Sequence, residues 1–147
     1  MNKDYKNLID GLNDDLAHEY AAAIQYTYSA AVVTGVHRAA LKPFFEDEIN
    51  DEMGHALYLS EKISALGGTP TTKAAELSQP TEVKDLLEAT LQSETDTIKR
   101  YEERKQLAEK LGETALVVKL EDVIADETKH KEEVENLLAD PEGVLNK

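Results

Sequence analysis

The sequence contains no cysteine and no tryptophan, and only 5% of its residues are aromatic. Without cysteine, the chain has no disulfide framework and cannot bind zinc or an iron–sulfur cluster through thiolates. The same absence fits a reducing compartment, so a cytoplasmic location is expected. No run of about 18 apolar residues occurs, and the N-terminal segment lacks the apolar core of a signal peptide. The sequence therefore predicts neither a membrane span nor a membrane partner.

Basic residues are also scarce, with 16 Lys and Arg against 30 Asp and Glu and a formal net charge of −14. Because phosphate binding needs clustered Lys and Arg, a nucleic-acid partner is not expected. Glycine and proline are few as well, 7 and 4 in 147 residues, whereas 41% of the residues are apolar. This composition favours helices around one core of ordinary domain size.

Apolar residues recur every three or four positions in four long segments, which is the spacing of one helix face. A turn-rich stretch, GGTPTTKAAELSQP, separates the second segment from the third. Short links make each flanking pair of helices antiparallel, and the longer stretch can cross the bundle. The predicted single domain 1–147 thus comprises a helical hairpin over 1–66, a crossover over 67–80 and a second hairpin over 81–139.

Turn residues and capping residues set the expected ends of these helices. Thr34-Gly35 stops the first helix, and Pro43 suits the first turn of the second. Thr81 is the predicted N-cap of the third helix, Gly112 breaks it, and Asp140-Pro141 closes the fourth. We therefore predict an all-α, up-down four-helix bundle with a long crossover between helices 2 and 3 and no fifth helix.

Each apolar stripe has a gap that is filled by polar residues. Unpaired carboxylates are costly on a buried face, so a set of them in the core needs compensating charge. Two divalent cations would supply it. The gap residues, and hence the candidate metal ligands, are Glu19, Glu52, His55, Glu94, Glu127 and His130.

The candidate ligands form an internal repeat, in which corresponding residue numbers differ by 75. Adding 75 to Glu19 gives Glu94, and adding 75 to Glu52 and His55 gives Glu127 and His130. Around them, FEDEINDEMGH (45–55) aligns with LEDVIADETKH (120–130). Each hairpin therefore supplies one Glu on its first helix and, at the same separation, a Glu-x-x-His on its second. This repeat predicts two equivalent metal positions related by a pseudo-twofold axis.

Residues three apart on a helix share a face, so each Glu-x-x-His can bind one ion. One Glu from each of two helices and a Glu-x-x-His from each of the others is the ligand set of ferritin-like di-iron and di-manganese bundles. Four carboxylates and two imidazoles suit iron or manganese, disfavour magnesium and calcium, and leave zinc open. We hypothesise that Glu52 and Glu127 bridge two irons, and that Glu19 with His55, and Glu94 with His130, are terminal ligands.

The segments LNDDLAHEYAAAIQY, DEMGHA, LGGTP and ADETKH resemble the corresponding segments of bacterioferritins, and the resemblance covers roughly residues 5 to 138. It implies a ferroxidase: Fe(II) and O2 or H2O2 are the expected partners, and Fe(III) is stored as mineral in a homo-oligomeric shell. Bacterioferritins continue into a fifth helix, whereas this chain ends within nine residues of the fourth. A smaller oligomer, at least a dimer, is therefore the alternative to a 24-subunit cage, and it would oxidise or detoxify iron without storing it.

Other di-iron families provide the alternatives. Rubrerythrins, which are peroxidases, carry an extra metal-binding Glu at the position of Thr97 and a cysteine-ligated domain, and both are missing here. A di-iron hydroxylase would act on an organic substrate and often has a membrane-binding face. No basic amphipathic helix is found, so the ferroxidase is favoured.

Several further residues have candidate roles beside the metal ligands. Met53 occupies the position at which bacterioferritins supply the sulfur ligand of a haem b shared by two subunits. Its alternative is an interface methionine without haem. Tyr26 and Tyr101 lie two turns after Glu19 and Glu94, where they can hydrogen-bond a ligand Glu or supply an electron. Finally, Asp51 and Asp126 each precede a proposed bridging Glu. Each can accept a hydrogen bond from a ligand histidine. The alternative is that these aspartates are simply solvated.

Overall fold

The computed structural model describes residues 2–139, which form four helices and no strand. The helices are α1 (Lys3–Val32), α2 (Arg38–Ala65), α3 (Val83–Lys110) and α4 (Thr114–Leu138). α1 packs along α2, α3 packs along α4, and α1 also contacts α3. This arrangement confirms the predicted all-α four-helix bundle. The predicted Asp140-Pro141 stop and the expected lack of a fifth helix concern residues outside the described range.

Glycines make the two tight reversals within the hairpins possible. Gly35 follows α1 with a φ of 81°, and Gly112 follows α3 with a φ of 72°. Residues with a Cβ rarely adopt these left-handed conformations, so each glycine ends its helix and lets the chain turn back. The predicted helix breaks at Gly35 and Gly112 are therefore confirmed.

The start of α2 differs from the prediction that placed Pro43 in its first turn. α2 begins at Arg38, so Pro43 is its sixth residue. The earlier start has two causes. Arg38 Nη1 donates a hydrogen bond of 2.6 Å to the Val33 carbonyl oxygen at the end of α1. In addition, the extra turn buries Leu41, which is 4% exposed.

The connection between α2 and α3 lies along α1. It spans 66–82, slightly more than the predicted 67–80, because Glu82 and not Thr81 precedes the first residue of α3. Asn13 holds one end through the Thr71 N–H and the Thr69 carbonyl oxygen, at 2.8 and 3.1 Å. Tyr28 holds the other end, since its hydroxyl donates a 2.8 Å hydrogen bond to the Pro80 carbonyl oxygen. The two anchors are separated by about 22 Å along the helix axis.

The apolar core is divided into two clusters along the bundle axis. The members of one cluster include Leu12, Leu16, Leu59 and Leu120. The members of the other include Tyr26, Phe45, Leu87 and Val134. On every helix, the predicted metal ligands lie in sequence between a residue of one cluster and a residue of the other. The ligands therefore form a polar layer at mid-height, between the two halves of the core.

Candidate metal centre

The structure brings all six predicted ligands together in the polar layer. The four glutamates are each only 2% exposed, and the two histidines are largely buried. His55 Nδ1 lies 3.5 Å from Glu19 Oε2 and 4.0 Å from Glu52 Oε2. His130 Nδ1 lies 3.8 Å from Glu94 Oε2 and 4.0 Å from Glu127 Oε1. Corresponding distances in the two halves are thus closely similar, as the repeat predicts.

Three groupings of side chains among the described residues can each hold an ion; two of them consist only of predicted ligands, and Glu94 belongs to none of the three. Ligand atoms of Glu19, Glu52 and His55 lie within 4.8 Å of one another, and so do those of Glu52, Glu127 and His130. Glu52 belongs to both groups. Glu127 also approaches both histidines, since its Oε1 lies 3.9 Å from His55 Nδ1 and 4.0 Å from His130 Nδ1. This geometry is compatible with two ions bridged by the two central glutamates.

The charges of the polar layer are poorly compensated by the protein's own groups. Burial, together with the negative charge of Glu127, raises the pKa of Glu94 to about 9. Burial likewise raises the pKa of Glu127 to about 7 and, together with the charge of Glu19, raises the pKa of Glu52 well above its usual range. Each shift shows a carboxylate that lacks sufficient positive charge.

Hydrogen bonding leads to the same conclusion. The buried atoms without a hydrogen-bond partner include Glu19 Oε2, Glu52 Oε1, both oxygens of Glu94, Glu127 Oε1 and the Nδ1 atoms of both histidines. Buried polar groups in proteins are nearly always hydrogen-bonded. A cluster of oxygen and nitrogen atoms that face one another without hydrogen bonds is therefore suited to bind cations. The donor set of carboxylates and imidazoles fits iron or manganese.

The two tyrosines lie where the sequence places them. The Tyr101 hydroxyl donates a hydrogen bond to Glu19 Oε1 from the opposite helix. Burial acts to raise the pKa of Glu19, but its close contacts with Glu52 and His55 and the hydrogen bond from Tyr101 lower it overall. Tyr26 is close enough to Glu94 to act on its pKa in the same direction.

The two aspartates differ from one another. Asp51 is exposed, yet one of its oxygens lies within 4.8 Å of ligand atoms of both Glu48 and His130. Asp126 is exposed and belongs to none of the candidate ion-binding groups found among residues 2–139. The described residues show no hydrogen bond from a ligand histidine to either aspartate, so their role remains a prediction.

The comparisons with known proteins agree with this geometry. The ferritin-like domain model matches residues 9–144. A bacterioferritin from Brucella melitensis is 31% identical over 134 residues, which cover 89% of this chain and 82% of the relative. This chain belongs to the ferritin-like family. It is a homologue of the bacterioferritins.

Solved structures place the chain in the same family. A ferritin-like di-iron carboxylate protein from Bacillus anthracis is 59% identical with a TM-score of 0.93, over 94% of this chain and 99% of that one. A Rhodobacter capsulatus bacterioferritin, described with a metal-free dinuclear site and a haem iron, is 27% identical with a TM-score of 0.85. That match covers 91% of this chain and 84% of the bacterioferritin.

The sequence did not predict the role of Glu48, a buried acid of this ferritin-like chain. It is 6% exposed, and its Oε2 lies 2.8 Å from His130 Nδ1. Burial acts to lower the pKa of His130, but Glu48 and the other nearby carboxylates raise it to about 9. The repeat gives no signal for this residue, because position 123 in the second half is Val. The available signal was its position on the apolar stripe of α2, between Phe45 and Glu52.

A second missed feature is a buried ion pair one turn from Glu19. Asp15 is 2% exposed and accepts hydrogen bonds from Arg104 Nε and Nη2 at 2.8 and 3.1 Å. Arg100 Nε lies 3.9 Å from the same carboxylate. These residues join α1 to α3 beside the Glu19–Tyr101 hydrogen bond.

Met53 lies on the outside of the ferritin-like bundle, as its helix position predicts, with 47% of its surface exposed. It borders an apolar groove of about 520 Å3, whose other lining residues include Ile24, Tyr28 and Ile49. Ile24 and Leu57 on the same two helices are also exposed, at 48% and 62%.

None of the described helices is long and apolar enough to cross a membrane.

Proposed function

We propose that this protein is a ferroxidase that oxidises Fe(II) at its polar layer. Two Fe(II) ions each lose one electron to become Fe(III). The electron pair reduces O2, with two protons, to H2O2, or reduces H2O2, with two protons, to two molecules of water. The observation that carries the proposal is the cluster of unpaired carboxylate and imidazole atoms at the centre of the bundle.

We assign the bridging role to Glu52 and Glu127, since each lies close to ligand atoms of both halves. Glu19 with His55, and Glu94 with His130, hold one substrate ion each. The raised pKa values of Glu94 and Glu127 mean that Fe(II) displaces protons when it binds near neutral pH. The chain therefore supplies the ligands, holds two ions close together and releases protons on loading.

The donor chemistry favours a redox-active ion. Imidazole ligands disfavour magnesium and calcium, which prefer oxygen donors alone. Manganese or zinc can occupy the same positions, but zinc has no redox chemistry with which to oxidise or reduce a substrate. We assign iron as the substrate because the relatives of this chain include bacterioferritins.

A di-iron oxidase for organic substrates is the alternative. Such an enzyme needs space for its substrate beside the metal ions. Two cavities, of about 520 and 280 Å3, open on the surface of the described bundle, and neither is lined by any of the six candidate ligands. The four glutamates of the polar layer are each only 2% exposed. These observations favour a small ion and a small oxidant as substrates.

Iron storage follows from the same site only if the subunits enclose a mineral. The homology to bacterioferritins supports storage, and we propose that copies of the chain associate in the cytoplasm. Light scattering after aerobic loading with increasing Fe(II) tests this step. A shell that retains many Fe(III) ions per chain supports storage, whereas precipitation after the first two ions per chain supports oxidation without a cage.

The ferroxidase proposal is tested by loading the metal-free protein with two equivalents of Fe(II) without oxygen and then adding O2. We expect rapid formation of a diferric product, detected by absorbance and Mössbauer spectroscopy. Glu94→Ala removes a terminal ligand and should abolish the fast phase. Glu102→Ala, a change at an exposed position of the same helix, serves as the matched control. Oxidation at the wild-type rate in Glu94→Ala would refute the site.

We also propose that two copies meet at the apolar groove and that Met53 binds haem there. The residues fit this group, because an exposed thioether stands beside a wide apolar surface. A bound haem would accept and deliver electrons. Reconstitution with haem should give a Soret band in the wild type and none in Met53→Leu. A wild-type protein without the band, but still dimeric, would retain the interface and exclude the haem.

A further inference from the structure

The two halves of the metal centre differ at one buried position. Glu48 lies one helical turn before Glu52, and its counterpart in the repeat is Val123. Both are buried, at 6% and 4% exposure. The second-half histidine, His130, therefore faces a carboxylate from α2 that has no equivalent beside His55.

The contact between Glu48 and His130 is close but incomplete. Glu48 Oε2 and His130 Nδ1 lie 2.8 Å apart, yet neither atom has a partner in good hydrogen-bonding geometry. The same Nδ1 faces Glu94 and Glu127, so it is the nitrogen directed at the metal position. The buried carboxylate oxygen of Glu48, directed at that nitrogen and without a satisfied hydrogen bond, is thus available to a cation held there.

Charges beside the first half act in the opposite sense. Arg100 and Arg104 flank Asp15, one turn from Glu19, and give this group a net positive charge. The counterparts of Asp15, Arg100 and Arg104 in the repeat are Thr90, Gln25 and Ser29, all neutral. The two halves therefore differ by one negative charge beside the Glu94–His130 position and one net positive charge beside the Glu19–His55 position.

We propose that Glu48 is an additional metal ligand at the Glu94–His130 position, and that this position binds divalent metal more tightly than the Glu19–His55 position and fills first. This inference rests on the proposed function, because it takes the six residues of the polar layer to be ligands. It assigns the two ions different roles: one is held early and firmly, and the other binds second and exchanges more readily.

Sequential filling is measured with a redox-silent probe. Metal-free protein receives one equivalent of Co(II) per chain without oxygen, and crystals are measured at the cobalt absorption edge. We expect most of the anomalous density beside His130. Calorimetric titration should give two separate binding steps with dissociation constants that differ at least about tenfold, the size that a buried partner of a ligand typically contributes.

Variants link the difference to Glu48. Glu48→Gln keeps the shape and removes the charge, so it should weaken the first step about tenfold or more and bring the two steps together. Glu46→Gln, an exposed neutralisation on the same helix, should leave both steps unchanged. Circular dichroism and the melting temperature of each variant show whether it is folded.

Three outcomes separate the claims. Equal filling of the two positions in the wild type, or two steps that Glu48→Gln does not alter, would overturn this inference and leave the ferroxidase site intact. Preferred filling beside His130 that Glu48→Gln removes would support it. Wild-type protein that binds cobalt at neither position would overturn the ligand assignment itself, and the proposed function with it.

Discussion

The Tyr101 hydroxyl on α3 donates a hydrogen bond to Glu19 Oε1 on α1, so a ligand from one hairpin is held by a residue from the other. The bond favours the charged form of the carboxylate, and it therefore helps to lower the pKa of Glu19. Tyr101 is itself only 1% exposed. Its position is therefore fixed by packing before any ion binds.

Replacement of this tyrosine tests how much the hydrogen bond contributes. Tyr101→Phe should raise the pKa of Glu19, weaken metal binding at the Glu19–His55 position about tenfold, and destabilise the metal-free protein by roughly 1.5–3 kcal/mol. Calorimetric titration and urea unfolding measure the two effects. Tyr26→Phe, the counterpart in the repeat, should act on the Glu94–His130 position instead. Equal effects of both variants on both positions would contradict this pairing.

Metal loading should stabilise the fold because it compensates buried charge. At free Mn(II) one hundred times above the dissociation constant, each bound ion adds about 2.7 kcal/mol to the free energy of unfolding. The melting temperature should therefore rise on loading and fall again when a chelator is added. Glu52→Ala removes a group shared by both positions and should abolish most of the rise, whereas Glu61→Ala, at an exposed position of the same helix, should not.

The stability of the metal-free protein should decrease as the pH rises from 6 to 8.5. Glu94 keeps its proton to about pH 9 in the folded state, against a usual pKa of 4.5. His130 has a pKa raised from 6.5 to about 9. The folded state thus binds more protons than the unfolded chain between these values, and stability falls as the pH rises.

Thermal unfolding at several pH values measures this dependence. We expect the melting temperature of the metal-free protein to fall by about 5 °C or more across the window. Glu94→Gln cannot titrate and should flatten the curve. Metal-loaded protein, in which these groups are already deprotonated, should not show the decrease. A metal-free curve that rises with pH would contradict the assigned directions.

The buried pair between Asp15 and Arg104 should matter far more than an exposed one. Arg104→Met removes both hydrogen bonds to the Asp15 carboxylate, which is only 2% exposed. Because the buried charge then lacks its partner, the free energy of unfolding should fall by about 3–5 kcal/mol. The double variant Asp15→Leu/Arg104→Leu should lose less than the single one, because no buried charge remains. Urea unfolding measures both. Lys6→Met, which breaks an exposed pair of 2.9 Å on α1, should change stability by less than about 1 kcal/mol.

Much of this molecule could be predicted from the sequence, because two independent periodicities coincide. The helical spacing of apolar residues defines four helices, and the internal repeat identifies Glu19 and Glu94 as counterparts. Helix stops at Gly35 and Gly112 followed from backbone conformations that favour glycine. These features are local or repeated, so they can be recognised along the chain.

The features that were missed depend on contacts between distant residues or lie outside the repeat. Glu48 has no counterpart, and its proximity to His130 exists only after α2 and α4 are brought together. The earlier start of α2 depends on Arg38 reaching the end of α1. The course of the crossover depends on Asn13, an ordinary surface amide in the sequence, which becomes an anchor only when the segment lies along α1.

The polar layer at mid-height also fixes how the helices are aligned along their axes. Apolar stripes that repeat every three or four residues can interdigitate almost equally well after one helix slides by a turn, about 5.4 Å. Such a slide would remove Glu52 or Glu127 from the facing histidine and bury its charge against leucines. Like a single buried polar residue in a coiled coil, the layer penalises every alignment except one. The residues that weaken the core therefore also give it a unique register.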